Sequence, residues 1–214
     1  GGGAFMIAND VIYFSNFSDQ RIYKQVIGSD PIPLTPETSL RYADTTLDGW
    51  RDRLICVRED HQQNDHEPEN TIVSISLNAD EQTVLVSGND FYAFPRLSPD
   101  GSALSWICWD HPNMPWDGTE LWVANIAPDG TLSDRRKIAG GLEESVFQPE
   151  WSPDGSLVFV SDRTGWWNLY RWNPTTQETE ALCEKEAEFG LPLWIFGMST
   201  YGFASSNQIV CTYT

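Results

Sequence analysis

Positive charge is scarce in this chain. Thirteen Lys and Arg stand against 31 Asp and Glu in 214 residues, a formal net charge of −18. Phosphate recognition needs clustered cations, so nucleic acid and anionic membrane surfaces are excluded as partners. Long apolar runs are also missing. None nears the roughly 18 residues of a membrane span, and no charged start leads into an apolar segment as in a signal peptide. Cysteine is limited to Cys56, Cys108, Cys183 and Cys211, far apart and without a C-x-x-C pair. Cys56 and Cys108 sit inside strand-like apolar runs, so the expected state is four free thiols in a reducing, cytoplasmic compartment. The chain starts Gly1-Gly2-Gly3 without a methionine and stops after "QIVCTYT"; it is read as a piece of a longer protein.

Reactive motifs are absent as well. A nucleophile elbow reads G-x-S-x-G between strand and helix; the nearest string, "GMSTYG" at Gly197–Gly202, is one residue too long and lies between strands. Phosphate loops of the G-x-x-x-x-G-K type do not occur. The acidic loop "EDHQQNDHEPEN" holds His61 and His66, but their spacing fits no ordinary zinc signature. No cofactor, metal or catalytic residue is therefore expected in this chain.

What the chain does have is tryptophan, ten of them, and a repeated turn. "RLSPDGSALSW" from Arg96 and "EWSPDGSLVF" from Glu150 share S-P-D-G. Proline presets the second turn position, and Asp and Gly accept the remaining geometry. Each turn precedes an apolar run, the mark of a β-hairpin. Weaker copies put Asp10, Asp48 and Ser206 in step with Asp100 and Asp154, at intervals of 38 to 54 residues, the size of a four-stranded propeller unit. "TIVSISL" alternates as a half-buried strand, and "LVFV" is apolar throughout, as a strand covered on both faces would be. No window carries a helical period. The reading is an all-β, TolB-like partial β-propeller of about four and a half four-stranded antiparallel blades. It forms a single domain, 1–214, with blades near 1–37, 38–89, 90–141, 142–186 and 187–214. Its turns lack the S-x-D-x-G-x-T-W form of sialidase-type propellers. The bare faces of such a piece are expected to promote self-association.

In strands that run up and down, the loops between second and third strands share one end with the links between blades. That end collects His111, Asn113, Trp116 and Asp117 from "WDHPNMPWDGTELW", Arg163, Trp166 and Trp167 from "SDRTGWWNLY", and Glu143 and Glu144 from "GGLEESVFQPEW". Aromatic area, a guanidinium and a carboxylate pair suit a peptide end or a partner domain. The plainer alternatives are that the tryptophans cover the blade, that His111-Pro112 and Met114-Pro115 stiffen a loop, and that the glutamates are solvated.

These strings, with "DFYAFPRLSPDG" and "FGLPLWIFG", resemble the N-terminal propeller domain of the prolyl oligopeptidase family of serine peptidases. The nearest branch is that of dipeptidyl aminopeptidases and acylaminoacyl-peptidases. The likeness covers essentially the whole chain. It implies a parent hydrolase in which the propeller caps a C-terminal α/β-hydrolase domain with a Ser-Asp-His triad and admits only short peptides. Without that domain the chain resembles the gate and not the catalyst. The resemblance further implies that Glu143 and Glu144 hold a substrate ammonium. The alternative is a TolB-like or WD-repeat-like interaction propeller with no enzyme attached.

Overall fold

The computed structural model describes residues 2–62 and 67–214; His66 lies outside them. Among the described residues every regular element is a strand. The first sheet contains β1 (Phe5–Ala8), β2 (Val11–Ser15), β3 (Ile22–Val26) and β4 (Ile32–Pro33). The second contains β5 (Leu40–Asp48), β6 (Arg53–Asp60), β7 (Glu69–Ser76) and β8 (Gln82–Val86). In the third are β9 (Phe91–Leu97), β10 (Ala103–Trp109), β11 (Glu120–Ile126) and β12 (Leu132–Gly140). The fourth comprises β13 (Val146–Trp151), β14 (Leu157–Ser161), β15 (Asn168–Trp172) and β16 (Thr179–Cys183). A last pair is β17 (Tyr201–Ser205) and β18 (Gln208–Cys211). Strand order within each sheet follows the chain, so each sheet is an up-and-down meander. Among the described residues no helix is long and apolar enough to cross a membrane.

The chain divides into two compact units inside β9: one of Gly1–Pro95 with Ile195–Gly197, the other of Arg96–Trp194 with Met198–Thr214. The first unit packs Tyr13, Ile22, Tyr42, Leu54, Cys56, Val73 and Ile75 into a core. The second buries Trp106, Leu104, Phe147 and Phe159. Every residue of β14 is buried, as its apolar sequence requires. The strand "TIVSISL" differs from its alternating pattern. Thr71, Ile72, Val73, Ser74 and Ile75 are all buried, because both faces of β7 are covered and serine is small enough to be enclosed there. Burial also pushes the thiols of Cys56 and Cys108 up, the latter to about 12, which leaves them inert.

The S-P-D-G turns close in the same way. Gly101 N donates to Ser98 O and Gly155 N to Ser152 O, both at 2.9 Å. Asp100 accepts from Ser98 Oγ at 2.7 Å and from Ser102 N at 3.1 Å, and Asp154 accepts from Ser156 N at 2.9 Å. The copy in the second sheet is displaced from the sequence alignment. Arg51 N donates to Asp48 O, so Asp48 stands where Ser98 and Ser152 do, two residues before the position occupied by Asp100 and Asp154. Its carboxylate is fully buried and bonded by Arg53 Nε at 2.8 Å and Arg51 Nη1 at 3.2 Å. An ion pair there does the turn-closing work of a serine hydroxyl.

A second recurrence was not visible in sequence. The first strands of three sheets carry residues with positive φ: Asp44 (54°), Phe94 (52°) and Gln148 (48°). Register shifts bracket Asp44 and Gln148, the signature of β-bulges. Each of these two side chains ties its strand to the next one of the same kind. Asp44 Oδ2 accepts from Phe94 N at 2.6 Å. Gln148 Oε1 accepts from Thr200 N at 2.7 Å, while its Nε2 donates to Tyr201 O at 2.8 Å.

Candidate functional site

All nine residues singled out in sequence lie in the second unit, on loops at the end of the strands opposite the S-P-D-G turns. Backbone and side-chain bonds stitch these loops together. Asn113 Nδ2 donates to Leu142 O at 2.9 Å, joining the β10–β11 loop to the β12–β13 link. Ser145 Oγ donates to Pro115 O at 2.8 Å, and Thr119 N to Glu144 O at 3.0 Å. Asp117 Oδ2 accepts from Met114 N at 2.9 Å and shapes its own loop. His111 is exposed and precedes a cis proline. Trp116 packs on Trp194, ring centroids 4.2 Å apart, and Trp194 is 70% exposed.

The two adjacent glutamates have separate lives. Glu143 is exposed. Glu144 Oε1 accepts from Arg163 Nη2 at 2.7 Å, Arg163 Nε at 3.0 Å and Ser161 Oγ at 2.6 Å. Arg163 in turn lies over the Tyr170 ring at 4.7 Å and the Phe159 ring at 5.7 Å, a cation–π arrangement that holds the guanidinium against the blade. The two tryptophans differ in the same way. Trp166 is 39% exposed. Trp167 stacks on Phe147 at 6.4 Å and lies on Gly190, where a Cβ would stand 2.7 Å from the indole.

Beside Trp167 the loops enclose an open groove of about 410 Å³, lined by Asp162, Gly165, Trp167, Glu188, Gly190 and Pro192 among others. Two of its groups went unnoticed in sequence. Asp162 Oδ1 accepts from Ser145 N at 2.8 Å, and burial, then the charges of Glu144 and Glu188, raise its pKa. Glu188 Oε2 accepts from Trp167 N at 2.9 Å. The Trp167 indole N–H is buried without a hydrogen-bond partner. Glu188 sits in the charged run "CEKEAEF", where nothing distinguishes it from its acidic neighbours. His61, in the first unit, pairs with Glu59 at 2.9 Å, and no group of three or more His, Cys, Asp or Glu suited to a metal occurs among the described residues.

Comparison with solved structures places these features. The chain superimposes on the crystal structure of puromycin hydrolase with a TM-score of 0.88 and 36% identity, covering 95% of this chain and 33% of that one. A puromycin-hydrolyzing peptidase from Mycobacterium tuberculosis gives the same score and identity over 100% of this chain and 35% of that one. TolB from Acinetobacter baumannii matches at 0.57 with 16% identity, over 82% and 41%, a likeness of fold alone. No family model matches, and no curated protein does. The chain is a partial β-propeller of four-stranded antiparallel blades, of the TolB-like kind. It belongs with the N-terminal propeller domains of the prolyl oligopeptidase family, and it spans about a third of the length of the peptidase structures it matches.

Proposed function

We propose that this chain is the propeller portion of a serine exopeptidase and that it restricts access to a C-terminal hydrolase domain of the parent protein to short peptides. The observation that carries this reading is the 36% identity, over 95% or more of the chain, to peptidases named for puromycin hydrolysis. The sequence carries no G-x-S-x-G string, so no nucleophile is assigned to this chain in the proposal. Its part is recognition and exclusion. The alternative of a free-standing interaction propeller has only fold-level likeness behind it.

Within that role the groove beside Trp167 suits the amino end of a peptide better than the Glu143–Glu144 pair does. Arg163 already neutralises Glu144 and would repel an approaching ammonium. The groove instead offers the Asp162 and Glu188 carboxylates against an indole wall, and charge-assisted hydrogen bonds from an ammonium to carboxylates are strong. Glu144 then acts as a positioning residue that holds Arg163 and its loop. In the full-length parent, Glu188→Gln is expected to raise KM for free-amine substrates about tenfold, a loss on the scale of one charged hydrogen bond, and to leave N-acylated substrates unchanged. Equal effects on both would remove the assignment. Turnover of an aminoacyl chromogenic substrate by the 214-residue chain alone would overturn the gate reading.

A further inference from the structure

At the opposite end of the same strands, the two S-P-D-G turns border a recess of about 360 Å³. Its apolar walls are Pro99, Val123, Trp151, Pro153, Trp172 and Pro174. The Trp151 indole is committed, with Nε1 donating to Arg96 O at 3.0 Å. Trp172 is only 4% exposed, and its indole N–H has no hydrogen-bond partner among the described residues. Arg136 of β12, half-buried, lines the same recess, and its guanidinium makes no ion pair or hydrogen bond there either. Both carboxylates that line it are engaged, Asp100 with Ser98 and Ser102 and Asp154 with Ser156, and a further side-chain acceptor is the neutral amide oxygen of Asn125. The recess thus offers two unused donors, one of them charged, and no unengaged carboxylate to answer them. The Trp172 side chain is buried but its Nε1 is not among the buried atoms that lack a partner, so this N–H and the guanidinium are both donors open to an acceptor.

We infer that this recess binds a monocarboxylate with an apolar body, the carboxylate accepting from Arg136 and the Trp172 N–H while the body packs between the prolines and the indole rings. Arg136 presents the fork that carboxylates pair with. Asp100 and Asp154, both exposed at the mouth, repel further negative charge, which disfavours phosphate or a dicarboxylate. The chemistry is that of an apolar amino acid's carboxyl group, whether free or at the end of a peptide. The site is independent of the peptidase reading, since none of its residues belongs to the loop end.

The test is a titration of the 15N-labelled chain followed through its indole N–H resonances, the Trp172 peak being assigned by its loss in Trp172→Phe. N-acetyl-leucine is expected to move that peak. N-acetyl-leucinamide, which lacks the charge, is expected to leave it in place, and inorganic phosphate to bind more weakly than N-acetyl-leucine. Arg136→Gln is expected to weaken N-acetyl-leucine binding about tenfold or more, and Arg136→Lys by less. The remaining indole peaks report that each variant is folded. A stationary Trp172 peak, equal titration by the amide, or unchanged affinity in Arg136→Gln would overturn the proposal. Tighter binding of leucine than of its N-acetyl form would identify the free amino acid as the source; tighter binding of an N-acetylated dipeptide would identify a peptide terminus.

Discussion

The two ends of the second unit's blades are built from the same strands by opposite means. Within the S-P-D-G turns themselves, bonds are local: Asp100 and Asp154 bind residues two positions away. At the loop end they are distant: Asp162 reaches Ser145 across 17 positions, and Asn113 reaches Leu142 across 29. Glycine shows the same split. Gly155 has a φ of +85° and open space where a side chain would go, so only its backbone conformation demands glycine. Gly118 is needed for room, since a Cβ there would stand 2.5 Å from both Gly141 O and Leu142 O. A structure specified locally repeats from blade to blade. One specified by tertiary contact can differ in every blade, and that is the end where recognition is proposed.

This contrast can be broken experimentally. The largest effect is expected at Gly118→Ala, which forces two backbone segments apart and costs about 3 kcal/mol, a fall in Tm of roughly 6–12 °C for a chain of this size. Gly155→Ala pays only for the left-handed backbone, about 1 kcal/mol, or roughly 2–4 °C. Equal losses in thermal melts would remove the distinction between conformation and space. Glu144→Gln is expected to cost less again, below about 1 kcal/mol, because the pair with Arg163 is partly solvated, with side chains 24% and 31% exposed.

The smallest effects carry the sharpest sign. Hydrogen bonds, from the Ser98 side chain at Asp100 and from the Ser156 backbone at Asp154, hold both carboxyls below the ordinary Asp value. A depressed carboxyl stabilises the fold above about pH 4 and loses that contribution as pH falls through its folded pKa. Asp154→Asn should therefore be less stable than the parent at neutral pH, with the difference vanishing in acid. Asp162 is raised by burial and by Glu144 and Glu188, so its effect runs the other way: the folded form keeps its proton longer, and ionisation destabilises it as pH rises through the folded pKa. Asp162→Asn keeps an acceptor for Ser145 N and should gain on the parent between about pH 4 and 7. Urea melts across that range would refute the contrast if both variants sloped alike.

Legibility in the sequence follows the same line. The strands and their antiparallel order could be read because apolar runs and S-P-D-G turns are local signals. Asp48 was read two positions out of register, since an Asp that takes the place of a serine looks, in sequence, like the Asp of the repeat. Ser74 looked solvent-facing because alternation describes one sheet, whereas burial depends on what covers its other face. The Glu143–Glu144 pair looked like one group; the fold gives Glu144 to Arg163 and Ser161 and leaves Glu143 in water. Glu188 and Arg136 carry no motif at all.

Turn chemistry and hydrophobic pattern, which act over a few residues, were enough by themselves to determine an all-β chain of repeated four-stranded units with a distinct set of loops at one end. Only the tertiary structure decided which charges meet, which bulge residues tie one sheet to the next, and which donors are left facing an open recess. Those outcomes depend on distances between residues tens of positions apart, and such distances exist only once the blades have packed.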